Sequence, residues 1–331
     1  MKVGWLTVAA LAACGSSGSS STDASMNDVS VDAGNCFGAG LTRTCLTAAP
    51  TMPLILDGNL DTTSDPRCID DQGWCVIAGS QIQIITLRVT GTKPAVFVST
   101  GAIRVQNLDA SSKRAGGLGP AANSPTCIPP QTPSQAGGGP GGTFGGRGGD
   151  GGVGGLNSAE AGLVVSVTAF RGGCGGATGA GTNGGTGGAS GGALSLISRT
   201  HIDIEKLNAS GAAGGGGSGG ADGGGGGGSG GMINLQAPVI NVSGSVFANG
   251  GGGGEGGANG VVGLEPFAAT NAALGGSANA GGDGGNGSAG TTRAGAKGSD
   301  AATGGGGGGG AGVITLIPAQ VTGGVLSPAP T

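Results

Sequence analysis

Few residues in this chain could do chemistry, and their spacing narrows what they could do. The reactive stock is seven cysteines, one histidine and 18 acidic side chains in 331 residues. His201, Asp203 and Glu205 alternate with Ile202 and Ile204. On a strand, period two puts all three on one face, where an imidazole and two carboxylates could hold a divalent metal. The same alternation also arises on any solvent face opposite a buried isoleucine pair, so neither a metal nor another cofactor is expected. A Ser-His-Asp relay would have to use His201, which lies inside a repeated segment and not at a special turn. Carboxylate pairs such as Asp70 with Asp71, or Asp203 with Glu205, could serve polysaccharide cleavage, but two Trp and no Tyr leave few rings for sugar stacking. A non-catalytic protein is therefore expected. The alternative is a carbohydrate-active enzyme or a glycan-binding protein on a β-helix scaffold.

Cys14 closes the segment MKVGWLTVAALAAC, in which one lysine precedes a short apolar run and then small residues. That run is too short to span a bilayer and reads as a secretory signal over 1–13. Leu11-Ala12-Ala13-Cys14 resembles the bacterial lipobox, which implies diacylglycerol on the Cys14 thiol, cleavage after Ala13 and an acylated new N-terminus. Gly15 stands where inner-membrane lipoproteins often carry aspartate, so the resemblance implies an outer-membrane anchor, periplasmic or surface-facing. Secretion without an anchor is the alternative. The polar Gly/Ser/Asp-rich stretch over 14–34 reads as a flexible tether.

The other six cysteines are Cys36, Cys45, Cys68, Cys75, Cys127 and Cys174. An even number in an exported chain reads as a disulfide framework. Sequence alone leaves many connectivities open, although local closure favours Cys36 with Cys45 and Cys68 with Cys75, leaving Cys127 with Cys174. The first four of them lie in a Cys-rich cap over 35–80. Net charge is −4 and no basic stripe exists, which argues against nucleic acid as a partner.

From Gln81 the residues alternate as strands do, and a glycine-rich β-repeat body is expected over 81–326, with a tail at 327–331. Ile103-Arg-Val-Gln-Asn-Leu-Asp-Ala-Ser111 parallels Ile202-Asp-Ile-Glu-Lys-Leu-Asn-Ala-Ser210 as I-x-[VI]-x-x-L-[DN]-A-S. A looser copy starts at Ile240 and a truncated unit at Ile314. Each has a partner strand upstream: Val96-Phe-Val98, Leu194-Ser-Leu196 and Ile233-Asn-Leu235. Repeated strand pairs that cannot bury a face alone must stack. The expected fold is all-β, a parallel β-helix or solenoid-like body; an antiparallel β-sandwich with disordered glycine loops is the alternative. In the stack Ile202, Ile204 and Leu207 point inward, with Asp203 and Glu205 outward.

Glycine supplies 85 residues, much of it in Gly-Gly-X triplets such as GGP-GGT-F-GGR-GGD-GGV-GGL from Gly138. Three residues per turn would place every X along one edge and leave two bare glycine edges to pack, as in polyglycine II. Composition alone would keep such tracts mobile, and both readings stand. The phrase around Asp150 approaches the calcium-binding nonapeptide GGxGxDxUx, but it occurs once and has Gly152 where a bulky apolar residue belongs. The lipobox, the Cys-rich block and GGTFGGRGGDGG together resemble the glycine-rich, PE-PGRS-like surface lipoproteins of predatory and gliding soil bacteria of the myxobacterial type, without a PE domain. The resemblance implies a surface location, a membrane contact through the lipid, and surface glycans or other surface proteins as partners. It implies no activity.

Overall fold

The computed structural model describes residues 34–155, 158–164, 166–278, 281–318 and 321–331. Cys14 and nearly all of the tether lie outside the described residues. β-Branched residues at period two form strands wherever a corner follows closely. In chain order these are β1 (Cys36–Phe37), β2 (Thr44–Cys45), β3 (Leu54–Asp61), β4 (Ile69–Asp71), β5 (Trp74–Gly79), β6 (Ile82–Thr90), β7 (Ala95–Ser99), β8 (Ile103–Asp109), β9 (Ala193–Ser198), β10 (His201–Asn208), β11 (Met232–Gln236), β12 (Val239–Phe247), β13 (Val313–Ile317) and β14 (Val325–Ser327). The described helix is a single 3-10 turn, Gly40–Thr42.

Two six-stranded sheets carry the body, in the orders β14-β12-β10-β8-β6-β3 and β13-β11-β9-β7-β5-β4. From β5 onward consecutive strands alternate between them. Tight corners at residues 80–81, 100–102, 199–200 and 237–238 lead from the second sheet to the first. The long glycine excursions, 110–192, 209–231 and 248–312, all leave on the return from the first sheet to the second. Each strand thus meets its sheet neighbour one circuit later, and these pairings are parallel. The antiparallel sandwich alternative fails on that register. Antiparallel pairing occurs at β1 with β2 and at β4 with β5. The parallel sheets begin at Leu54, so β3 and β5 come from the 35–80 block.

The repeat consensus is a set of columns. Ile103, Val105 and Leu108 pair with Ile202, Ile204 and Leu207 on one side and with Ile82, Ile84 and Leu87 on the other. All of these enter one core between the sheets. The looser third copy owes its extra residue to a bulge. Its register slips opposite Ile204 and Lys206, and Gly244 sits there because a Cβ would strike the Glu205 carbonyl.

One alignment needs correcting. Val96 and Val98 do not match Leu194 and Leu196; Ala95 pairs with Leu194 and Phe97 with Leu196. Both faces of β7 are buried, so alternation could not tell them apart. Ala95 and Phe97 join the inter-sheet core, while Val96 and Val98 face a second cluster with Phe37, Trp74, Phe144, Phe170 and Met232. Three disulfides bind the fold: Cys36 to Cys45, Cys68 to Cys75, and Cys127 to Cys174.

The glycine tracts are hydrogen-bonded to one another, and the partners advance three residues at a time. Gly139 and Gly142 N–H donate to the Gly224 and Gly227 carbonyls. Gly224, Gly227 and Gly230 donate to Gly304, Gly307 and Gly310. Gly307 and Gly310 donate back to Gly139 and Gly142, which closes a ring of three tracts. On the outer tracts every third side chain reaches the surface: Arg147, Asp150 and Val153 are half-exposed while the glycines from Gly148 to Gly152 are buried. The run from Gly304 to Gly310 has no such edge. Its residues face the tracts at Gly146 to Gly152, at Asp283 and Asn286, and at Gly225 and Gly228 in turn. A tract surrounded on three sides has no place for an X, which is why that run is pure glycine.

Candidate functional site

The outward residues of the first sheet form polar rows across the strands. Gln83, Arg104, Asp203 and Asn241 stand side by side on β6, β8, β10 and β12. The Asp203 carboxylate accepts a hydrogen bond from Asn241 Nδ2 at 2.9 Å and lies 3.6 Å from Arg104 Nε and 3.4 Å from His201 Nε2. Asn241 Oδ1 in turn accepts from the Thr322 hydroxyl. A small cleft of about 190 Å³ here is lined by Arg104, Gln106, Asp203, Glu205 and Ser243. Asp203 is thus hydrogen-bonded to Asn241 and loosely paired with Arg104 and His201. Among the described residues no group of three or more His, Cys, Asp or Glu could hold a metal ion. Asp150 staples its own tract: its Oδ1 accepts from Arg147 Nη2 at 2.6 Å and from the Ala161 N–H at 2.9 Å. Asp70 pairs with Lys93 at 2.6 Å, and Asp71 accepts the Thr44 hydroxyl.

Further along the same face, the [DN]-A-S part of the consensus acquires a physical role. Asp109 Oδ1 accepts the Ser111 N–H at 3.0 Å, and Asn208 Oδ1 accepts the Ser210 N–H at 3.0 Å. The two copies make the same Asx turn, ending the strand and launching a glycine tract. Asp109 gathers more: Arg88 Nη1 at 3.1 Å, Lys113 Nζ at 2.8 Å and the Ser111 hydroxyl at 2.6 Å.

Burial by itself would raise the Asp109 pKa, but the hydrogen bonds from Lys113 and Ser111 and the Arg88 charge outweigh it and hold the carboxyl below its ordinary value. A depressed carboxylate contributes stability that is full above the unfolded-state pKa, about 3.9, and is lost as pH falls through the folded one. Asp109→Asn is therefore expected to shallow the loss of stability below about pH 4. Thermal melts across that range read the difference; the same acid slope in both proteins would show that Asp109 gains nothing on folding.

Beside Asp109 a cleft of about 360 Å³ opens between the sheet and the loop carrying Glu265, Pro266 and Phe267. Asn107, Lys206 and Asn208 form its sheet wall. Glu265 Oε1 accepts the Arg114 N–H at 2.6 Å, which fixes the loop wall. The Phe267 ring stands 66% exposed. The Asp109/Asn208 column was visible in the consensus, but Phe267 lies inside a glycine excursion with no period to mark it.

The chain matches no family model, no curated protein and no solved structure. Among the described residues no helix is long and apolar enough to cross a membrane. The function must be argued from the site itself.

Proposed function

We propose that this chain is a non-catalytic surface lipoprotein with a structural or adhesive role, held at the outer membrane by lipid on Cys14. Its body is a parallel β-solenoid whose returns carry a polyglycine II-like bundle. The observation that carries the reading is the three-residue hydrogen-bond register among the glycine tracts. That register makes the excursions a packed body, suited to holding a surface away from a membrane. Three disulfides suit an exported protein, in which covalent closure limits the unfolded chain. The likeness to PE-PGRS-like lipoproteins points to the same location, with surface glycans or other surface proteins as partners.

The anchor has a direct test. A clickable palmitate should label the wild type and leave Cys14→Ser unlabelled, and the variant should leave the detergent phase. Cells carrying only Cys14→Ser should lose the attachment that the protein supports. Equal labelling of both proteins would remove the anchor. Release of new reducing ends from polysaccharide by the purified protein would favour the catalytic alternative instead.

A further inference from the structure

The geometry points to a binding site for neutral saccharides in the cleft bounded by Asn107, Lys206, Asn208, Glu265 and Phe267, an inference that rests on the adhesive reading and gives it a ligand class. The cleft, at about 360 Å³, falls within the size range of small-molecule pockets, roughly 300–1,000 Å³. One wall is sheet. Asn107 and Lys206 are direct cross-strand partners on β8 and β10, and Asp109 and Asn208 are the next pair on the same face. Groups set on a sheet keep their spacing, as a recognition site requires. The other wall is the loop held by the Glu265 bond to the Arg114 amide.

The chemistry of the walls is that of a polyol with an apolar face. Phe267 offers a bare ring at 66% exposure. Carboxamides supply a donor and an acceptor together, which suits adjacent hydroxyl groups. Among the described residues the Asn107 carboxamide makes no hydrogen bond, and the Lys206 ammonium makes only a contact with the Phe247 ring, 5.8 Å from its centroid. Both are therefore available to a ligand.

Charge selects the class. Lys113 pairs with Asp109 at 2.8 Å, and Arg88, behind the lining, shares the same carboxylate at 3.1 Å. The four charges that line the cleft, Lys113, Lys206, Asp109 and Glu265, sum to zero, which gives an anionic sugar no advantage among the groups it would touch.

The test uses the full-length protein in detergent micelles on an array of neutral and anionic oligosaccharides, followed by titration calorimetry with the tightest neutral ligand. Neutral glycans should bind, and added NaCl should leave the affinity unchanged. Phe267→Ala and Asn107→Ala should each weaken binding about tenfold or more, while Phe267→Tyr, which keeps the ring, retains it. Neither alanine variant should shift the melting temperature much, because Phe267 is exposed and the partly buried Asn107 side chain makes no hydrogen bond among the described residues. Binding confined to anionic glycans, neutral binding indifferent to both alanine variants, or no binding at all would each overturn the site. If attachment of cells still depends on the protein while no neutral glycan binds, the adhesive reading stands and the saccharide site falls.

Discussion

Gly308→Val is expected to destabilise the protein by about 3 kcal/mol or more. Ordinarily, replacing a glycine at a compatible backbone conformation stabilises by about 0.4–1 kcal/mol, because the unfolded chain loses freedom. The sign reverses at Gly308 because a Cβ there collides with the Asn286 carbonyl. That carbonyl is held by the Ala296 N–H, and Gly308 is held against it in turn. Gly308 N–H donates to Ala296, Gly149 N–H donates to Gly308, and the flanking Gly307 and Gly309 are bonded to Gly139 and Gly251. Relief on one face compresses another, and several tracts must shift together. Gly220→Ala is the control, since a Cβ there meets nothing within 4 Å. Thermal unfolding of the two variants reads the contrast. If Gly308→Val melts with the wild type, the tracts are not packed as described and the glycine excursions are loops.

The physical reason for that contrast is also why the bundle was only partly legible in sequence. The Gly-Gly-X phase is local, and it correctly placed Arg147, Asp150 and Val153 on an outer edge. The pure runs around Gly225 and Gly308 carry no phase. Their meaning depends on contacts with tracts far away in the chain, and no window of sequence contains those contacts. The strands followed the same logic. Ile103, Val105 and Leu108 were readable because one face of β8 is wet, so their period is visible. Strand β7 is buried throughout, and its parity was lost. The cysteine pairs that close short loops were favoured by proximity alone, and the long pair followed by elimination. The cleft at Phe267 was illegible because its two walls come from a strand and from a glycine excursion that only the fold brings together.

The strand columns predict the other large effect, at Ile204. Its side chain is 1% exposed in the core between the sheets. It lies between Val105 on β8 and Val242 on β12. Ile204→Asp puts a carboxylate among these apolar groups with no cation to meet it. An uncompensated buried charge costs several kcal/mol even after relaxation, against a total stability of about 5–15 kcal/mol for an ordinary fold. The stack should therefore open around β10, and because each sheet strand leans on its neighbours, the loss should spread to β8 and β12. Asp203→Ser, one residue away on the wet face, removes only the Asn241 bond and the loose pairings with Arg104 and His201. Exposed pairs of that kind are worth about 0–1 kcal/mol. Circular dichroism melts and limited proteolysis should show Ile204→Asp unfolded or cleaved near β10 under conditions where Asp203→Ser is intact. Matching melts for the two variants would mean that β10 does not present its isoleucines to the core, and the columns joining Ile103, Ile202 and Ile240 would lose their basis.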